Sequence, residues 1–311
     1  MAIHRDTFAD MKTDLFLTYV GMETDLIFTH GMELPGFASY PLLETAEGRT
    51  LLKGYLRDMI ALGRATGHGI ILESPTWVAN RDRGATIGYG PDTLRDLNQQ
   101  AIELMSKVRA EHGDVPTVIS ANIGPRDDAY APEAQMSVKE AEQYHSEQLS
   151  ALAETDADVV SGYTLAYPAE AAGMVLAARR FELPVVISFT VETDGKLPTG
   201  STLKEAIAEV DAATDSYAAY FMINCAHPAH FDSNLDDGPW MARIKGIVAN
   251  ASQCSHAELD EAEELDDGDP DELAEQLSGI RRRFPHIRVL GGCCGTDMRH
   301  MSKIAAAASI S

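Results

Sequence analysis

The chain has 311 residues, 45% of them hydrophobic, with 25 Lys+Arg against 48 Asp+Glu and a formal charge of -23. That length and apolar content suit one large domain or two ordinary ones and argue against disorder. The negative field repels phosphate backbones and anionic lipid, so neither nucleic acid nor a membrane surface is an expected partner, and its plain use is solubility.

The N-terminal segment, residues 1–16, is charged throughout and has no apolar signal core. No apolar stretch approaches the ~20 residues of a membrane span. Four cysteines do not make a disulfide framework. A cytoplasmic protein with reduced thiols is expected, which makes metal binding or catalysis the leading use of its cysteines.

Taken in chain order, short runs rich in Val and Ile fall at residues 14–20, 69–74, 116–124, 158–164, 184–191, 219–226, 246–252 and 287–292. They are close to continuously apolar, as strands buried on both faces should be. Helical patterns lie between them at 91–113, 138–157, 169–182, 202–213 and 271–284. Pro91 and Gly113 punctuate the first of these as a helix start and stop. Strands alternating with helices in this way predict a closed (β/α)8 TIM barrel, a single α/β domain over residues 1–311. A doubly wound open sheet is the competing fold, but no Gly-rich dinucleotide fingerprint follows the first run. The acidic stretch 258–272 reads as a solvated surface excursion.

Active sites of such barrels form where strands end at the C-terminal face. Cys225 closes the sixth run, and Cys293-Cys294, within Gly291-Gly-Cys-Cys-Gly295, closes the eighth. Adjacent side chains on a strand point to opposite faces, so this pair converges only if the chain bends at the strand's end, which glycine permits. Three thiolates around one ion, with a fourth position open, is the layout of a catalytic zinc site. Soft sulfur also favours zinc over magnesium or manganese. A strained disulfide between neighbours and buried inert thiols remain the competing readings. Cys254 is read as a buried thiol in preference to a fourth ligand, and His227 and His230 as loop residues that cap or hydrogen-bond locally in preference to ligands.

These motifs resemble those of the homocysteine S-methyltransferase family, zinc enzymes on a (β/α)8 barrel. The resemblance is carried by Asn224-Cys225 and by Gly291 to Gly295, with softer matches at Ile123-Gly124-Pro125, Ile187 to Thr190 and Leu197 to Ala208. It implies Cys225, Cys293 and Cys294 as ligands of Zn2+. It also implies methyl transfer from a sulfonium or ammonium donor, such as S-methylmethionine, S-adenosylmethionine or a betaine, to a small thiol such as homocysteine, giving methionine. No further domain is expected for a cobalamin, and a homo-oligomer is left open. The alternative is a non-catalytic zinc- or thiol-binding protein that kept the metal site and lost the substrate pocket.

The chain departs from its relatives where they bind the amine of homocysteine. Tyr19, in Tyr19-Val-Gly-Met-Glu-Thr24, stands where the family has Asp, and Tyr163 stands where it has Glu. Glu73, in Leu72-Glu-Ser-Pro-Thr-Trp77, and Glu23 are the carboxylates available to replace them. The plain alternative is that both face solvent or pair with Arg81 or Arg83. Expected substrate-binding residues are therefore Glu73, Glu23, Trp77, Tyr163, Tyr19 and Asn224. The aromatic faces of Trp77, Tyr89, Tyr130, Tyr163 and Tyr167 suit a cationic donor.

Overall fold

A computed structural model describes residues 2–5, 15–19, 21–132 and 134–308, with Tyr19 described by its backbone alone. The predicted runs form eight parallel strands: β1 (Phe16–Tyr19), β2 (Gly69–Glu73), β3 (Thr117–Ile123), β4 (Val159–Leu165), β5 (Val185–Phe189), β6 (Tyr220–Asn224), β7 (Ile244–Ala249) and β8 (Val289–Gly292). They pair in sequence order, and β8 returns to β1 with Phe16 opposite Val289 and Tyr19 opposite Gly292, closing the barrel. β7 begins two residues before its apolar run, because half-buried Lys245 lies within the strand.

The helices are α1 (Met22–Phe28), α2 (Ala46–Thr66), α3 (Arg81–Thr86), α4 (Pro91–Glu111), α5 (Val138–Ala153), α6 (Pro168–Arg180), α7 (Leu203–Thr214), α8 (Pro228–Phe231), α9 (His256–Asp260), α10 (Pro270–Arg283) and α11 (Met298–Ala308). Their ends follow local chemistry. Ser137 with Glu140, and Thr202 with Glu205, form reciprocal capping boxes at α5 and α7. None of the described helices is long and apolar enough to cross a membrane.

Alternation along the strands sorts side chains into two cores. Outward-facing Ile70, Leu72, Ile119, Ala121 and Val160 pack against the helices. Inward-facing Phe16, Ile71, Val118, Val159, Val186, Met222, Val248 and Val289 fill the barrel. Two residues further along, the inward positions of six strands are polar: Thr18, Glu73, Ser120, Ser161, Ser188 and Asn224. Barrel interiors are ordinarily filled by bulky branched residues, so this layer marks a change of character just below the C-terminal mouth.

Candidate metal centre

At that mouth the sulfur atoms of Cys225, Cys293 and Cys294 all lie within 4.8 Å of one another. Cys225 and Cys293 are disulfide-close, with 5.5 Å between their Cα atoms, and Cys294 stands free beside them. The turn after β8 is fastened to its neighbours. Cys293 N–H donates to Ala249 O at 2.7 Å, Ala251 N–H to Cys294 O at 3.0 Å, and Gly295 N–H to the Thr24 hydroxyl at 3.2 Å. The glycines serve this bend. Gly295 has a left-handed backbone, φ 78°, and a side chain on Gly291 would collide with the Thr18 carbonyl. Burial pushes the Cys294 thiol up to about 12, with the charge of Glu23 adding to the effect. A thiol in that state is protonated unless a cation joins it.

The sulfurs form one wall of a cavity of about 400 Å3. Glu23, Phe37, Trp77, Tyr130 and Tyr163 line other walls, and Asp128, Asp260, Glu264 and Asp266 stand around them. Arg83, the one Lys or Arg among the lining residues, sits over the Trp77 ring at 5.3 Å and donates to Asp127 O at 3.2 Å. Carboxylates therefore outnumber cations, so the cavity carries a negative field over aromatic surfaces.

The two candidate carboxylates separate clearly. Glu23, in the first turn of α1, is 8% exposed, faces the cavity, and accepts from the Ser39 hydroxyl at 2.6 Å. No ion pair to it is found among the described residues, and burial raises its pKa against the opposing pull of Ser39. Glu73 lies one layer lower. It accepts from the Tyr163 hydroxyl at 3.1 Å and from the Thr18 hydroxyl at 3.5 Å, and burial raises its pKa to about 7. It opens onto a separate cavity of about 40 Å3 rather than the large one. Neither pairs with Arg81, which binds Asp82 and Glu147, or with Arg83.

Tyr163 is thus turned downward onto Glu73, with its ring forming part of the cavity wall. Asn224 does not line the cavity. Its side chain accepts from Thr164 N–H at 2.9 Å and donates to the Thr164 hydroxyl at 2.8 Å, holding a residue whose φ is 62°. Tyr19 pairs through its backbone with Gly292, and its side chain lies outside the described residues. Among the other aromatics, Tyr89 donates to Glu44 at 2.5 Å and Tyr167 accepts from Met136 N–H at 3.1 Å, both away from the cavity.

His227 caps α8 by accepting from Ala229 N–H, and His230 bonds Gln253 O at 2.9 Å. Cys254 points its sulfur at Asp266, 3.8 Å away, and does not join the thiol group. The acidic stretch is mostly exposed, as a solvated excursion should be, but it also reaches the cavity. Leu259, Asp260, Ala262, Glu264, Leu265 and Asp266 all line the cavity, so this segment builds its side. Sequence reading also passed over Asn250, whose buried Oδ1 at the cavity wall has no partner among the described residues, and His256. Neither belongs to a motif; both reach the site only because β7 ends beside β6 and β8.

Fold and site together define a (β/α)8 barrel that gathers three thiols at the C-terminal mouth. The profile of the homocysteine S-methyltransferase family matches residues 21–308, and the chain belongs to that family. It is 34% identical over 127 residues to methionine synthase of Mycobacterium leprae (strain TN), across 40% of this chain and 10% of that protein. It is 28% identical over 229 residues to methionine synthase of Mycobacterium tuberculosis (strain ATCC 25618 / H37Rv), across 70% of this chain and 18% of that protein. The chain therefore spans under a fifth of the length of either relative. In architecture it is similar to the homocysteine methyltransferase MmuM from Escherichia coli. The metallated form shares a TM-score of 0.71 at 17% identity, over 97% of this chain and 99% of that one. The oxidized form shares 0.72 at 19% identity, over 95% and 96%.

Proposed function

We propose that this chain is a zinc-dependent S-methyltransferase. It would move a methyl group from a sulfonium or ammonium donor to a thiol, with homocysteine as the first acceptor to test. The convergence of Cys225, Cys293 and Cys294 on the wall of an open cavity carries this reading.

The donor set fits zinc. Sulfur is a soft ligand, the group offers three donors and so leaves one position for substrate, and a thiol as buried as that of Cys294 needs a cation to ionise. Bound there, zinc would supply the charge that keeps an incoming thiol deprotonated near neutral pH.

The remaining work falls to the chain's own residues. Glu23 is a buried carboxylate with no cationic partner among the described residues, and a charge in that state favours a ligand that brings one. It is the group we assign to the ammonium of an amino-acid thiol, in place of the carboxylates that Tyr19 and Tyr163 replace. Glu73 acts through Tyr163, fixing the ring that forms the cavity wall. Trp77, Tyr130 and Phe37 present aromatic surface to a cationic methyl carrier, and the rim carboxylates raise its local concentration. In the transfer a sulfur–carbon bond forms on the acceptor and the donor's bond to the methyl carbon breaks. The donor leaves neutral, and the acceptor's proton passes to solvent.

Zinc-loaded protein incubated with homocysteine and each of S-methylmethionine, S-adenosylmethionine and betaine should yield methionine with at least one donor. One bound zinc with no turnover for any thiol and donor pairing would leave the non-catalytic binding protein as the better reading.

A further inference from the structure

Cys225 is held in a conformation that residues with a side chain rarely adopt. Its φ is 51°, in the left-handed region, where a Cβ crowds the backbone. Such a residue stays there only when its surroundings hold it. Its N–H donates to Val248 O at 3.1 Å, and its carbonyl accepts from the Thr190 hydroxyl at 3.5 Å. The shortest hydrogen bond to its backbone comes from His256, whose Nε2 lies 2.5 Å from the Cys225 carbonyl oxygen.

His256 is itself fixed on three sides. Its Nδ1 lies 3.1 Å from a Glu192 carboxylate oxygen, and Tyr130 stacks on its face at 3.9 Å between ring centroids. It is buried at the cavity wall. The Cys225 carbonyl can only accept, so its bond with His256 has the ring Nε2–H as its donor. Neither His227 nor His230, the histidines close to Cys225 in sequence, makes this contact.

We propose that His256, oriented by Glu192 and packed under Tyr130, is the positioning residue that keeps Cys225 left-handed and its sulfur beside those of Cys293 and Cys294. Released from that bond, the peptide after Cys225 is free to rotate toward an ordinary φ, which swings the sulfur out of the group. The inference rests on the reading that these sulfurs take zinc. Failure of that reading would show as wild-type protein that takes up no zinc, whereas the positioning role is read from differences between variants.

The test is zinc affinity, measured by competition with a chromogenic chelator on full-length His256→Ala, His256→Gln, Glu192→Gln and His227→Ala. Losing a partner that orients a metal ligand weakens binding by about 10- to 100-fold, and His256→Ala is expected in that range. His256→Gln keeps a donor and should recover part of the loss, and Glu192→Gln should lose less than His256→Ala. The thiolate-to-metal absorption of cobalt-loaded His256→Ala should be altered at saturation and restored toward wild type in His256→Gln. If metal-free His256→Ala melts below the wild type, His256→Gln is judged alone, and it must bind zinc less tightly than wild type while remaining as stable. His256→Ala with wild-type affinity and an unchanged cobalt spectrum overturns the proposal. So does an equal loss in His227→Ala, which would mean that any disturbance of this loop weakens the site.

Discussion

Two sides of the same barrel mouth use their polar groups in opposite ways. At the ends of β6 and β8, three sulfurs converge on open space and stay unsatisfied by the protein, apart from the contact between Cys225 and Cys293. At the ends of β2 and β4, Glu73 and Tyr163 turn toward each other and toward Thr18, below the cavity floor. The first arrangement leaves coordination to be completed from outside; the second completes most of it from within. A buried charged residue is therefore not by itself a binding group. What distinguishes Glu23 from Glu73 is access to the cavity, and both lie within one turn of a strand end.

The largest expected effect breaks the thiol side. Cys225→Ser, Cys293→Ser and Cys294→Ser should each lower zinc content and methyl transfer by more than the roughly 100-fold that losing an outer-shell partner costs. Cys254→Ser should leave zinc stoichiometry unchanged, because that thiol points at Asp266. Zinc analysis of the purified variants by atomic emission decides between these outcomes.

Next in size is the contrast between the carboxylates. A hydrogen bond to a charged group contributes about 1.5–3 kcal/mol, so Glu23→Gln should lower kcat/KM for homocysteine by about 10- to 100-fold. For a deaminated thiol of the same length it should change little. Glu73→Gln should leave both acceptors within about threefold, since Glu73 does not reach the cavity. Steady-state kinetics with the two acceptors would reverse the assignment if Glu73→Gln proved the more damaging.

Glu73 should matter instead to stability. Its folded pKa, about 7, is raised above its ordinary value, so the folded state favours the protonated form. That contribution is present below the unfolded value and fades as pH rises through the folded one. Wild type should lose about 2 kcal/mol between pH 5 and pH 8 from this group. Glu73→Gln, a neutral isostere, should not show that loss, and urea unfolding at the two pH values measures the difference.

A stability effect of similar size, with the least effect on substrate handling, is expected at Asn224. Asn224→Ala removes both bonds to Thr164 and should cost about 1–3 kcal/mol of stability. KM for either substrate should move less than in Glu23→Gln. A selective rise in KM without loss of stability would place Asn224 in the substrate site after all.

By itself the sequence determined the strand and helix alternation, because strands buried on both faces must be apolar along their length and helices between them must carry caps. It also determined the thiol group. Gly291 to Gly295 sets two adjacent cysteines in a glycine bend at a strand end, and barrel topology brings the ends of β6 and β8 near each other whatever lies between. Only the tertiary structure decided which polar residues meet the cavity. Glu23 and Glu73 look equivalent in one dimension, and their difference is a matter of one layer of depth and the direction of the Tyr163 hydroxyl. The acidic stretch has the composition of a solvated loop, yet its half-buried Leu259 and Leu265 line the mouth. His256 bonds a cysteine carbonyl 31 residues earlier in the chain. Periodicity and motif spacing report local geometry, and no local pattern encodes a contact made across the ends of separate strands.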